Sequence, residues 1–248
     1  MPRKNQNPPE MRERTVRMNP SQLRPLRPDS TNRASANPGR FEMDKSEKFW
    51  DRVSSWSKRP LKELGQTSLK TVEATQKYLN SEDVVLDYGC GPGSLTTRIA
   101  ERVASVHAID ISAGMIDVAN LEADQRGLNN IEFAHSDIYD DRYESGSFSV
   151  VVAFNVLHYV EDVEEVSRRI SGLLKPGGLF ISSTACLAER RTLLGTVALF
   201  VTKLGLVPAM KFFRTAELER LIAGGGFDVV KSERLSRLPD CFVVARKT

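Results

Sequence analysis

Three glycines, Gly89, Gly91 and Gly93, follow an apolar run that ends in Asp87, and no other grouping in the chain is better suited to holding a ligand. Glycine has no Cβ, so a backbone built from it can turn through positive φ and lie close against a bound molecule. The preceding Val84, Val85 and Leu86 read as a buried strand, which places a nucleotide-like ligand at the mouth of an α/β sheet. A helix follows, and its positive N-terminal end faces the same spot. Asp110 lies 21 positions after Gly89 at the end of the next strand, where a carboxylate can take both hydroxyls of a ribose. The helix-capping role belongs more naturally to Ser112, two residues on. His158 and Asn155 follow the fourth strand at the carboxyl edge, where open α/β folds place their chemistry. His158 is the candidate general base and Asn155 a candidate for orienting a ligand, although His158 can equally pack at the start of a helix. His107, within a strand, and His135, beside a loop, read as structural. No His, Cys, Asp or Glu grouping has metal-ligand spacing.

The elements that must position these residues alternate. Strand patterns fall at 84–87, 106–110, 131–134, 148–154 and 178–183, with helical patterns at 95–102, 113–126 and 163–174 between them. Such alternation argues for a parallel sheet covered on both faces. Residues 45–58 and 61–80 read as two earlier helices, the first with Phe49, Trp50, Val53 and Trp56 on an apolar stripe. Leu174, Lys175, Pro176, Gly177 and Gly178 form a helix stop before strand five. A helix at 215–223 and β-rich runs at 227–234 and 241–246 then suggest a hairpin-like pair closing the sheet edge, which makes the sheet mixed.

Composition divides the chain. The net charge is +3, yet residues 1–40 hold nine of the 35 Lys/Arg and three of the 32 Asp/Glu, leaving 26 basic and 29 acidic residues for 41–248. Residues 1–40 also carry seven of the 12 prolines and few large apolar side chains, the composition of a disordered basic tail or of an extension preceding a true start at Met43. The folded part is mildly acidic and lacks a basic stripe with interleaved aromatics, which speaks against nucleic acid as the partner. Cys90, Cys186 and Cys241 show no C-x-x-C spacing, so a reducing, cytoplasmic setting is expected. No apolar stretch approaches the ~20 residues needed to span a bilayer.

From about residue 45 onward the chain resembles the class I S-adenosylmethionine-dependent methyltransferases, in particular the small-molecule branch that includes ubiquinone-type C-methyltransferases. The resemblance rests on five stretches: 85–93 with its three glycines, Ala108 to Ser112, His135 to Ile138, Phe154 to His158, and Leu174 to Gly178. It implies a Rossmann-like seven-stranded mixed sheet with an antiparallel strand at the C-terminal edge, and S-adenosyl-L-methionine as cofactor. By the same resemblance Gly89, Gly91 and Gly93 pass beside the amino-acid half of the cofactor and Asp87 takes its ammonium. Asp110 takes the ribose, Asp137 the adenine amino group, and Ile111 and Ile138 sandwich the ring, with Asn155 near the methionine end. A dehydrogenase loop wants G-x-G-x-x-G, and Ser94 stands where its third glycine belongs.

The acceptor is read from what covers the pocket. Phe49, Trp50 and Trp56 could form an aromatic lid, or simply pack on the sheet. The largely apolar insert at 186–213 resembles the variable substrate cap of the family, which implies a small, hydrophobic or lipid-like acceptor. Basic residues at Arg190, Arg191, Lys203, Lys211 and Arg214 permit peripheral membrane contact. The alternative is methylation of RNA or protein with the basic tail as tether.

Overall fold

The computed structural model describes residues 38–57, 64–188, 207–236 and 239–248. Most of the tail read at 1–40 and most of the insert read at 186–213 therefore lie outside the described residues, as does the start of the helix read at 61–80.

Seven strands form one sheet in the order β3-β2-β1-β4-β5-β7-β6. They are β1 (Val84–Tyr88), β2 (Ser105–Asp110), β3 (Ile131–His135), β4 (Phe148–Phe154), β5 (Leu174–Ala185), β6 (Phe227–Glu233) and β7 (Asp240–Lys247). β1 pairs in parallel with both β2 and β4, and β4 in parallel with β5, whereas β7 runs antiparallel to β5 and β6. The mixed sheet expected from the sequence is thus present. Within the C-terminal hairpin the last strand inserts next to β5 and leaves β6 outermost.

Helices cover both faces because the central strands are apolar on both. Val85, Val150 and Val152 pack on one side with Ala74 of α2 (Gln66–Gln76) and Ile99 of α3 (Thr96–Ala100). Leu86, Val151 and Ala153 pack on the other with Ile170 of α5 (Val163–Leu173) and Leu218 of α6 (Thr215–Gly224). β1 and β4 therefore lie at the centre of the core, and their carboxyl ends, which carry Asp87 and Asn155, are held by rigid neighbours.

Local chemistry sets the boundaries. α4 (Ala113–Arg126) starts where the Ser112 hydroxyl accepts the Met115 N–H at 3.1 Å and ends at Gly127 in the left-handed conformation. α1 (Pro38–Ser57) begins inside the stretch read as tail, its proline standing where a helix leaves an N–H unpaired in any case. Two further readings change. α3 spans five residues rather than the eight of 95–102, and its start has no side-chain cap. The proline and glycine stop lies within β5: Leu174 already pairs with Phe148, and the ladder resumes at Leu179 opposite Val150. Lys175 to Gly178 bulge out between these pairs.

Candidate functional site

The glycine loop is pinned to the end of β2. Gly89 N–H and Cys90 N–H both donate to the Ile109 carbonyl, at 2.8 and 3.0 Å, Gly91 N–H donates to Asp110 Oδ2 at 2.9 Å, and Gly93 N–H donates to Cys90 O at 3.1 Å. Pro92 has no N–H to offer. Every amide of this loop is thus spent inside the protein, and α3 is too short to project much of a dipole. The amides of the loop itself are therefore not offered to a phosphate, and any helix-end attraction must come from the start of α3.

The three glycines do different work. All have positive φ, but a Cβ on Gly89 would come within 2.6 Å of Val156, and one on Gly93 within 2.9 Å of Ala119 on α4. Those two permit close packing. A Cβ on Gly91 would meet nothing within 4 Å, so Gly91 alone faces open space. Asp110 closes the loop from the other side: its Oδ1 accepts from Ser112 N–H at 2.9 Å while Oδ2 holds Gly91. Each oxygen keeps lone-pair capacity for a further donor, as a ribose contact requires. Burial raises its pKa, while the two amides act in the opposite direction.

Asp87, near the carboxyl end of β1, is 2% exposed. The Thr96 hydroxyl donates to its Oδ2 at 2.6 Å. Burial pushes the Asp87 carboxyl up to about 7, against the pull of that hydroxyl and with a smaller push from the Asp110 charge. A buried carboxylate with one neutral donor is suited to a cationic guest.

On the far side, Asp137 Oδ1 accepts the Tyr139 N–H at 2.7 Å, so one oxygen is engaged in its own turn. Ile138 corrects the sequence expectation. It is 1% exposed and belongs to the apolar cluster beneath the sheet, its carbonyl held by Arg169 Nε at 3.0 Å. Its side chain therefore fills the core and is not presented to a ring. Ile111 is partly exposed beside Asp110, and its carbonyl meets His135 Nε2 at 3.0 Å.

The edge beyond β4 carries the remaining candidates. Asn155 is exposed and adopts φ +55°, the one positive value outside glycine among the described residues, while its N–H donates to Ser183 O at 2.8 Å. Such strain is held in place by surrounding structure and concentrates at ligand sites. His158 lies in a single 3-10 turn, Leu157–Tyr159, and is 4% exposed. Its Nδ1 has no hydrogen-bond partner, and burial pushes the imidazole down to about 4. The ring is therefore neutral and packed against Tyr159 with centroids 4.2 Å apart.

Helix α1 connects the two sides. Trp50 meets Tyr159 edge-on at 5.3 Å and Phe49 at 5.0 Å. Asp51 Oδ1 accepts the Ser112 hydroxyl at 2.6 Å and Gly114 N–H at 3.1 Å, and Glu47 reaches His135 at 3.4 Å. Sequence reasoning missed Thr96, Asp51 and Tyr159. Thr96 had a usable signal, a hydroxyl in the first turn after the glycines. Asp51, 61 residues before Ser112, had none.

Comparison with known proteins agrees with this geometry. A family model for a methyltransferase domain matches residues 79–204. A ubiquinone biosynthesis O-methyltransferase of Coxiella burnetii is 30% identical over 200 residues, covering 76% of this chain and 84% of the relative. The chain belongs to the class I S-adenosylmethionine-dependent methyltransferases. A ubiquinone biosynthesis O-methyltransferase of Ralstonia nicotianae is likewise 30% identical, over 85% of this chain and 89% of its own. These relatives are O-methyltransferases, where the sequence suggested the C-methyltransferase side of the same branch.

Solved methyltransferase structures share the fold. The geranyl diphosphate C-methyltransferase of Streptomyces coelicolor, solved with S-adenosyl-L-homocysteine, superposes with a TM-score of 0.64 at 14% identity, over 87% of this chain and 100% of that one. A SAM-dependent methyltransferase of Aquifex aeolicus superposes with a TM-score of 0.61 at 16% identity, over 80% and 98%. This methyltransferase uses S-adenosyl-L-methionine as its methyl donor, and its relatives point to a small-molecule acceptor. Its spent amides and open Gly91 fit an aminoacyl nucleoside without phosphate. No helix among the described residues is long and apolar enough to cross a membrane.

Proposed function

We propose that this methyltransferase methylates the hydroxyl oxygen of a small, apolar, phenol-like acceptor by in-line displacement. The observation that carries the reading is the aromatic edge beside a neutral imidazole, Trp50 against Tyr159 with His158 behind them. The ubiquinone biosynthesis O-methyltransferases among its relatives support the choice of oxygen. The bound donor supplies an activated methyl group and a good leaving group. What the chain must add is alignment, exclusion of water and a place for the acceptor's proton.

In this reading Gly91 lies against the amino-acid half of the donor, Asp87 takes the ammonium and Asp110 the ribose hydroxyls. Asp137 takes the adenine amino group through its free oxygen, Ile111 covers the ring, and Asn155 orients the methionine end. His158, neutral and with its unpartnered Nδ1 buried, accepts the hydroxyl proton once the seated acceptor uncovers that atom, as the oxygen is alkylated. A weak base suffices there, because a protonated ether is a far stronger acid than imidazolium. The domain runs from the start of α1, residues 1–37 act outside catalysis, and the insert at 186–213 caps the acceptor. Lys211 and Arg214, at the far end of that insert, favour transient contact with an anionic membrane that carries an apolar substrate. The three cysteines, none of them in a disulfide, suit a reducing cytoplasm.

The test is turnover, read as S-adenosylhomocysteine release, on short-chain and prenylated phenols, polar acceptors and transfer RNA, with and without anionic liposomes. Apolar phenols should give the highest kcat/KM. His158→Ala should lower kcat about 100-fold with donor affinity unchanged. Turnover confined to polar acceptors or RNA would overturn the reading.

A further inference from the structure

We propose that Asp51 is a positioning residue that ties α1 to the donor-binding loop and so holds Trp50 in place as a wall of the acceptor site. The acceptor half of this statement rests on the function proposed above; the tether does not.

The observations are independent of one another. α4 begins with amides that its own backbone cannot satisfy. Ser112 takes one of them, Met115 N–H, and Asp51 reaches across from α1 to take another, Gly114 N–H at 3.1 Å. The Ser112 hydroxyl completes the link by donating to Asp51 Oδ1 at 2.6 Å. Ser112 N–H is held by Asp110, which also holds Gly91. A continuous hydrogen-bonded path therefore runs from α1 through the start of α4 to the carboxylate and the glycine that face the donor.

Gly114 supplies a second line of argument. A Cβ there would lie 2.2 Å from Ser54 Oγ, 3.2 Å from Ser54 Cβ and 3.4 Å from Asp51 Oδ1, so a side chain at position 114 would press on Ser54 and on the Asp51 carboxylate where the two helices meet. On the opposite side of the tether, Trp50, the residue before Asp51, packs edge-on against Tyr159 beside His158. The donor loop and the acceptor wall thus share one anchor. If α1 moves, Trp50 leaves Tyr159.

The chain's two tryptophans, Trp50 and Trp56, both lie on α1, so intrinsic fluorescence reports this helix alone. In a Trp56→Phe background, Asp51→Ala should shift Trp50 emission to longer wavelength, the direction of greater water contact. It should also raise the KM for a short-chain phenol about tenfold while changing kcat less than twofold, as loss of two hydrogen bonds suggests. Asp51→Asn keeps an oxygen acceptor and should restore both readouts. Titration with S-adenosylhomocysteine should partly recover the emission of the alanine variant.

Gly114→Ala guards against misfolding as an explanation. Alanine favours helix, so α4 itself gains stability while the new methyl group crowds Ser54 and the Asp51 carboxylate of α1. The variant should show the same emission shift and KM increase without loss of melting temperature. A purely structural cap predicts the reverse, a lower melting temperature for Asp51→Ala with emission and KM unchanged, and that result would overturn the proposal. If no phenol is turned over but the emission and S-adenosylhomocysteine responses behave as stated, the tether stands and the acceptor reading fails.

Discussion

Asp87 couples stability to pH and, as the proposed ammonium site, couples pH to donor binding. Its carboxyl titrates near 7 in the folded protein, against 3.8 when unperturbed, chiefly because it is buried. Between those values the folded chain holds a proton that the unfolded chain has released. The group's contribution to stability is therefore complete below pH 3.8 and is lost as pH rises to about 7. An ammonium placed beside it reverses the preference and favours the carboxylate. S-adenosylmethionine affinity, measured by calorimetry from pH 5 to 8, should rise by up to tenfold per pH unit, levelling off near pH 7. Asp87→Asn should flatten that profile, weaken binding and raise the melting temperature at pH 8, because a buried charge has been removed. A flat wild-type profile would remove Asp87 from the ammonium site. The residue type and position were legible in the sequence, and the Thr96 hydroxyl left a signal in the first turn after the glycines; the depth of burial left none.

At the scale of elements, the glycine loop separates packing from binding. Gly93→Ala requires a left-handed alanine and a contact of 2.9 Å with the Ala119 methyl, so it should cost about 2–3 kcal/mol. Gly91→Ala carries only the conformational cost, about 1–2 kcal/mol, because its surroundings are open. Thermal melts should therefore rank Gly93→Ala below Gly91→Ala. Donor affinity should drop about tenfold or more in Gly91→Ala, whose methyl group enters the space assigned to the ligand. Equal donor affinity in Gly91→Ala and the wild type would show that the ligand passes elsewhere. The sequence showed three glycines and could not rank them, since rank depends on Val156 and Ala119, which reach the loop from other elements. The same limit explains α3. Its apolar pattern extends past Ala100, but the chain must turn there so that β2 can pair with β1, and the helix stops after five residues.

At the scale of the whole molecule, charge is unevenly distributed. Residues 1–37 contain eight of the 35 basic and three of the 32 acidic residues, so their removal converts a net charge of +3 into −2. All of the described elements lie outside that stretch. A protein lacking residues 1–37 should melt at the same temperature and turn over a small phenol unchanged, while losing most of its retention on heparin. Loss of small-molecule turnover would instead assign the stretch a role in catalysis.

The sequence by itself determined the order of strands and helices and the mixed sheet, and its resemblance to a known family supplied the donor class. Periodicity, glycine spacing and acidic strand ends are local, and a short window of residues records them. Tertiary structure decided which glycine faces open space, which isoleucine is lost to the core, and that a helix near residue 50 closes on a loop near residue 112. Those outcomes depend on distance through space between residues dozens of positions apart, and spacing along a chain carries no record of it.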